Sequence, residues 1–160
     1  MKGVRINEQG IELIKSFEGL HDGDKTTPLY EPLRCPAGLW TLGWGNIFGL
    51  DNRRVTANHR AITLAEAEEL LVRDLKRFES QLVRLVRVDL NENQWSAIVS
   101  FSYNVGSYNF KVSSLRAAIN RKSWQTAANE FPKWVYAKKR KLPGLVRRRL
   151  AEREMFLAPV

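Results

Sequence analysis

A chain of 160 residues, 44% apolar and carrying five tryptophans, is long enough to close one hydrophobic core and is expected to form a single domain. Its formal net charge of +9 calls for an anionic partner: nucleic acid, a membrane surface or a cell-wall polymer. Cys35 is the one cysteine, which excludes an intramolecular disulfide and fits storage in a reducing cytoplasm.

Residues 1–17 hold no apolar stretch like the core of a signal peptide, and no run approaches the ~20 apolar residues of a bilayer span. A target in the cell wall would therefore require outside help for export. His21 and His59 lie far apart without ligand-spaced cysteines, so neither a metal ion nor a cofactor is expected.

Ile11, Ile14 and Phe17 recur at helical spacing and predict a helix over 8–18, with Asn7 as N-cap and Gly19 as its stop. Glu18 then falls in the last turn, beside the unpaired carbonyls at the negative end of the helix dipole. That is a setting suited to a carboxyl that donates a proton. Gly38, Gly43 and Gly45 mark tight turns around a strand predicted over 39–44. Thr41 and Gly43 share one face of it, and Trp40, Leu42 and Trp44 the other. A helix exit followed by such a hairpin aims an acid, a thiol and a hydroxyl at one point. Residues 46–62 are polar and irregular, with His59 expected on the surface.

Thr63 and Glu66 form a capping box for the longest helix, expected to run to about Val86 on Leu64, Ala67, Leu71, Leu75, Phe78, Leu82 and Leu85. Its charges from Arg73 to Arg87 read as a solvated face. Asn91 and Gln94 signal a second start, and the helix behind them carries Trp95, Ile98, Val99 and Phe101. It ends at Tyr103-Asn104-Val105-Gly106. An aromatic ring and an amide there suit a sugar, which offers a flat apolar face and many hydroxyls. A core tyrosine and a capping asparagine fit the residues equally well. Ser113 or Ser114 opens a short helix with Leu115, Ala118 and Ile119 inward. Ser123 opens another on Trp124, Ala127, Ala128 and Phe131, halted near Pro132. Between Lys138 and Arg149, seven cations occur within twelve residues. They read as a nucleic-acid or membrane footprint, while Val146, Leu150, Met155, Phe156 and Leu157 read as a stripe that packs the last helix.

The combination resembles the bacteriophage-type lysozymes, glycoside hydrolase family 24. Members carry a catalytic Glu, then Asp or Cys, then Thr six positions later; Glu18, Cys35 and Thr41 match. The segments 90–106 and 142–156 are similar to family segments as well, so the resemblance covers most of the chain. The interval from Glu18 to Cys35 holds 16 residues, longer than usual in the family, in a loop where insertion costs little. Glu31 is thus a second candidate for the acidic position. Cys35 is preferred, because its spacing to Gly38 and Thr41 is in register.

The resemblance implies an α+β, lysozyme-like fold. A small lobe with a short hairpin sheet (about 19–62) would face a larger helical lobe (about 63–160 plus the first helix) across a cleft. It implies a phage or prophage endolysin that cuts the β-1,4 bond between N-acetylmuramic acid and N-acetylglucosamine. Glu18 would be the acid, with Cys35 and Thr41 holding the attacking water or stabilising the oxocarbenium-like state. Tyr103, Asn104, Ser114 and Glu130 would contact glycan. The partner is peptidoglycan, reached from the host cytoplasm through a holin-made lesion. The protein is expected to be a monomer, with its basic C-terminus against outer-membrane lipid. Two alternatives remain open: a lytic transglycosylase using the same acid, and a basic nucleic-acid-binding helical module. The latter accounts for the charge but not for Glu18, Gly38, Thr41 and Gly45 in register.

Overall fold

The computed structural model describes residues 4–20, 27–35 and 37–160; His21 lies outside them. The architecture is α+β: seven α-helices and two two-stranded antiparallel sheets among the described residues. The chain parts into two compact units, Met1–Phe17 with Arg77–Val160, and Glu18–Lys76.

In the smaller unit, Tyr30 and Ile62 exchange backbone hydrogen bonds, and β1 (Leu33–Arg34) pairs with β2 (Trp40–Thr41). The strand expected over 39–44 is cut to Trp40–Thr41. Leu42 and Asn46 bond each other reciprocally at 2.9 Å, which turns the chain back at once. Gly43 and Gly45 take φ of +58° and +84° in that turn, a region costly for a side chain. The alternation of faces therefore ends at Thr41: Thr41 and Leu42 are both buried.

The first part of α2 (Leu64–Leu82) belongs to this unit. Its start is a true capping box: Thr63 N–H donates to Glu66 Oε2 at 2.9 Å, and Glu66 N–H to Thr63 Oγ1 at 3.2 Å. Arg60 adds a bidentate contact to Glu66, and these bonds hold its carboxyl down at about 2. Arg73 is no solvated charge. Its guanidinium donates to the carbonyls of Phe48 (2.9 Å) and Gly49 (2.6 Å) and so ties the irregular segment to α2. His59, expected on the surface, is half-buried there. A Cβ on Gly49 would lie 2.3 Å from its Nε2, so the ring packs flush against that backbone. The helix ends at Leu82, four residues before Val86, in turns closed by Leu85 N–H to Leu82 O. Arg116 Nε and Asn120 Nδ2 then capture the Leu85 carbonyl.

The larger unit is built on α3 (Glu92–Val105), opened by the expected Asn91–Gln94 capping box. Trp95, Ile98, Val99 and Phe101 are fully buried there. The Phe101 ring meets Phe110, Phe131 and Trp134 edge-on, with centroids 5.3–6.4 Å apart. Burial of each of the three phenylalanines, all 0% exposed, stabilises the unit by about 1.5–3 kcal/mol. Helix α1 (Glu8–Glu18) seats its N-cap on α3: Asn7 Oδ1 accepts from Gly10 N–H at 2.9 Å and from Ser96 Oγ at 3.0 Å. A Cβ on Gly10 would lie 2.6 Å from that of Ser96, so only glycine permits this approach.

Around α3 stand α4 (Ser107–Val112), α5 (Ser114–Asn120) and α6 (Trp124–Glu130). Helix α4 carries no sequence expectation and contains Phe110, buried on its inner side. Ser113 caps α5 through Arg116 N–H at 3.0 Å, with Leu115, Ala118 and Ile119 inward as expected. Ser123 sits at the N-cap of α6 without a capping bond from its side chain. Pro132 lies in a single 3-10 turn, Phe131–Lys133, that closes α6.

A second hairpin, β3 (Tyr136–Ala137) with β4 (Arg140–Lys141), occupies the basic stretch, and α7 (Pro143–Leu157) follows. The apolar stripe expected on α7 is not what packs it. Leu150 and Leu157 are exposed, Val146 and Met155 half-buried, and only Phe156 is fully inside. Its buried face is charged instead: Arg148, Arg149 and Glu152.

Candidate functional site

Glu18 is the last residue of α1, stopped by Gly19 at φ +69°. Its carboxyl lies against the turn that follows β2: a Cβ on Gly45 would sit 3.5 Å from Glu18 Oε2. That separation is ordinary contact, and what glycine supplies at this position is a φ of +84°, which a side chain rarely adopts. Gly45 follows Thr41 by four residues, so the acid meets the chain in the turn just beyond β2.

Cys35 follows β1 directly. Its N–H donates to Leu39 O at 2.8 Å and its carbonyl accepts from Gly38 N–H at 2.8 Å, closing the turn on Gly38 at φ +84°. The register pairs Leu33 with Thr41 and Arg34 with Trp40, so Cys35 stands opposite Leu39. Residues 33, 35, 39 and 41 then share one face of the ladder. Cys35 and Thr41 are diagonal neighbours on it, a relation that spans about 7–8 Å in a regular antiparallel pair. The thiol is half-buried and the threonine is 3% exposed. Thr41 Oγ1 donates its proton to the Leu33 carbonyl at 3.1 Å, which leaves its lone pairs to accept from a water molecule. Glu31 precedes β1 and is exposed.

Beneath this turn lies a pair without a sequence expectation. Asn46, 1% exposed, donates from Nδ2 to Asp74 Oδ2 at 2.7 Å and to Leu70 O at 3.4 Å. The contact fastens the glycine turn to α2, and thus the surface on which Glu18 rests. An amide at the end of a Gly-x-Gly-Asn run was the available signal, but its partner lies 28 residues away.

The four expected glycan contacts are all in the larger unit. Tyr103 is half-buried, its ring 5.4 Å from that of Phe78 at a tilt of 53°. Asn104 does not cap α3; Gly106 does, through its N–H to Ser102 O at 2.8 Å. The Asn104 amide is instead oriented by a buried cation, Arg149 Nη2, which donates to Oδ1 at 2.9 Å. Ser114 is the exposed first residue of α5, and Glu130 ends α6, its Oε1 accepting from Lys133 Nζ at 2.6 Å.

Arg149 belongs to a wholly buried charge cluster. Glu152 Oε2 lies 2.7 Å from Arg149 Nε, and Oε1 accepts from Arg148 Nε at 3.2 Å and Ser100 Oγ at 2.8 Å. Arg149 stacks over Phe101 at 4.9 Å and Arg148 over Phe17 at 5.8 Å. Burial pushes the Glu152 carboxyl upward, against the pull of the two guanidiniums. The sequence signal was there, since Glu152 follows Arg148 and Arg149 at helical spacings of four and three.

Among the described residues no group of His, Cys, Asp and Glu could hold a metal ion. The chemistry on offer is an acid beside a glycine turn, with a sulfur and a hydroxyl on one hairpin face.

The family model for phage lysozyme matches residues 15–152. An endolysin of Acyrthosiphon pisum secondary endosymbiont phage 1 is 35% identical over 157 residues, covering 96% of this chain and 98% of the relative. An endolysin of Bacillus phage B103 is 38% identical over 154 residues, but the chain spans only 54% of that longer protein. Among solved structures, a point mutant of P22 lysozyme superposes with a TM-score of 0.80 at 33% identity, covering 98% of this chain and 100% of that one. The muramidase domain of SpmX from Asticaccaulis excentricus gives 0.80 at 30% identity, with 98% and 100% covered.

Proposed function

Because the chain belongs to the phage lysozyme family, we infer that it is a peptidoglycan hydrolase of the muramidase type, cutting the β-1,4 bond from N-acetylmuramic acid to N-acetylglucosamine during phage lysis. The fold is lysozyme-like, in keeping with the superposed structures. What supports the assignment of roles is the Glu18 carboxyl resting against the Gly45 turn, which follows the strand of Thr41 by four residues.

In this reading Glu18 protonates the bridging glycosidic oxygen as the bond lengthens, and the anomeric carbon becomes oxocarbenium-like. A water held by the lone pairs of Thr41 and by Cys35 adds its oxygen to the anomeric carbon and releases one proton to solvent, from which the Glu18 carboxylate is reprotonated, leaving a reducing end on muramic acid. The thiol takes the place of the second carboxylate common among glycosidases. Tyr103 and Asn104 contact glycan, Asn104 through an amide fixed by Arg149. Ser114 and Glu130 contribute further contacts. The protein acts as a monomeric catalytic domain that waits in the host cytoplasm, and a holin lesion admits it to the wall. The nucleic-acid alternative is not favoured: the family match spans residues 15–152, and two of the seven clustered cations are buried.

The test is clearing of outer-membrane-permeabilised Gram-negative cells by purified protein. The parent clears them, and Glu18→Gln, folded to the same melting temperature, does not. Equal clearing by the two would remove Glu18 as the acid.

A further inference from the structure

The basic C-terminal stretch does not present its charge where the sequence suggested. Arg148 and Arg149 are inside, so the exposed cations are Lys138, Lys139, Arg140, Lys141 and Arg147. No acidic residue occurs between Glu130 and Glu152. Of those two, Glu130 is engaged by Lys133 and Glu152 is buried with its arginines.

The β3–β4 register makes Lys138 and Lys139 the two-residue tip of a hairpin, and both have positive φ, 48° and 63°. Two positive φ values in a two-residue loop define a type I′ turn, whose favoured occupants are Asn-Gly. Lysine at both positions is conformationally costly and contributes no packing, since both side chains are exposed. Such a turn projects two cations from the end of a hairpin. Behind the tip, Tyr136 is 64% and Leu142 40% exposed, and Lys141, Pro143, Val146 and Arg147 line an open groove of about 380 Å³.

We propose that the β3–β4 hairpin and the first turn of α7 form a docking surface for a bilayer with anionic phospholipid headgroups, with Lys138 and Lys139 leading. Cations meet the headgroup phosphates, while Tyr136, Leu142 and Val146 supply the apolar surface that an acyl boundary accepts. A wall glycan would complement the charge but not this apolar border, which is why lipid is favoured. The surface rests on the hydrolase reading only for its context. Vesicles contain no peptidoglycan, so its test is independent of that reading.

The experiment is co-sedimentation of the full chain with vesicles of phosphatidylglycerol and phosphatidylcholine, against phosphatidylcholine alone. The parent binds the anionic vesicles selectively, and more weakly as salt rises. Lys138→Asn with Lys139→Gly lowers that affinity about thirtyfold, at the ~1 kcal/mol each cation contributes near such a surface. Its melting temperature stays level or rises, because the turn now holds its preferred residues. Lys138→Arg with Lys139→Arg binds like the parent. Undiminished vesicle binding by the Asn-Gly variant, or equal binding of the parent to both vesicle types, overturns the proposal. So does an Asn-Gly variant that loses retention on purified sacculi while keeping its vesicle affinity, which would assign the hairpin to the wall.

Discussion

Removing the Glu152 carboxylate tests how the last helix is held. Glu152 and Arg149 are 0% exposed and Arg148 is 3% exposed, with nitrogen–oxygen distances of 2.7 and 3.2 Å between the carboxylate and the two guanidiniums. Glu152→Ala leaves two cations in the interior without their counter-charge and the Ser100 hydroxyl without its acceptor. Stripping one partner from a buried ion pair costs about 3–5 kcal/mol. A chain of this size melts about 2–4 °C lower per kcal/mol, so the expected fall is roughly 6–20 °C by calorimetry at pH 7. Replacing the whole cluster (Arg148→Met, Arg149→Met, Glu152→Leu) removes all the charges together and should recover most of the loss, because apolar groups of similar volume often match a buried pair. Recovered stability should not bring recovered activity, since Asn104 loses the Arg149 donor that orients it. A Glu152→Ala protein melting within about 2 °C of the parent would refute this account of the cluster. A triple variant no more stable than the single one would do the same.

Three further outcomes follow from the smaller unit. Glu66 is held at about 2 by Arg60 and the Thr63 N–H, so its contribution is complete above the ordinary carboxylate range and lost as pH falls toward 2. Acid melting curves of Glu66→Gln should therefore be flatter than the parent's between those limits, and parallel curves would count against it. Gly45→Ala places a methyl 3.5 Å from Glu18 Oε2 at a φ of +84°; about 1–3 kcal/mol of stability and most of the lytic rate should go, measured well below the melting temperature. Full activity would show that the carboxyl works from another side. Cys35→Ser should slow clearing strongly and Glu31→Gln should not; the reverse result would make Glu31 the second catalytic group.

Local chemistry was legible wherever the deciding residues are near in sequence. The N-cap at Asn7, the capping boxes at Thr63 and Asn91, and the stop at Gly19 need only a few neighbouring residues, and all are present. The Leu39–Trp44 run looked like a longer strand because period-two alternation cannot register the reversal between Leu42 and Asn46. Helix α4 was invisible because six residues of SYNFKV carry too little periodicity. On α7, hydrophobicity suggested an apolar seam, whereas the buried face holds arginines that contact Glu152, Ser100 and Asn104. Such a seam depends on partners from α3, about fifty residues earlier, which no window along the chain contains. Glu18, Cys35 and Thr41 were singled out by the family resemblance rather than by periodicity or composition. The bond of Asn46 to Asp74 that fastens the glycine turn to α2 was not legible, because it joins segments 28 residues apart.

The claim at the centre is that the Glu18 proton goes to a glycosidic oxygen and water takes the sugar. Mass spectrometry of the fragments released from purified sacculi reads both halves of it. The account predicts disaccharide-peptides with reducing-end muramic acid from the parent and none from Glu18→Gln. Anhydro-muramic ends from the parent, or an unchanged fragment pattern from Glu18→Gln, would contradict it.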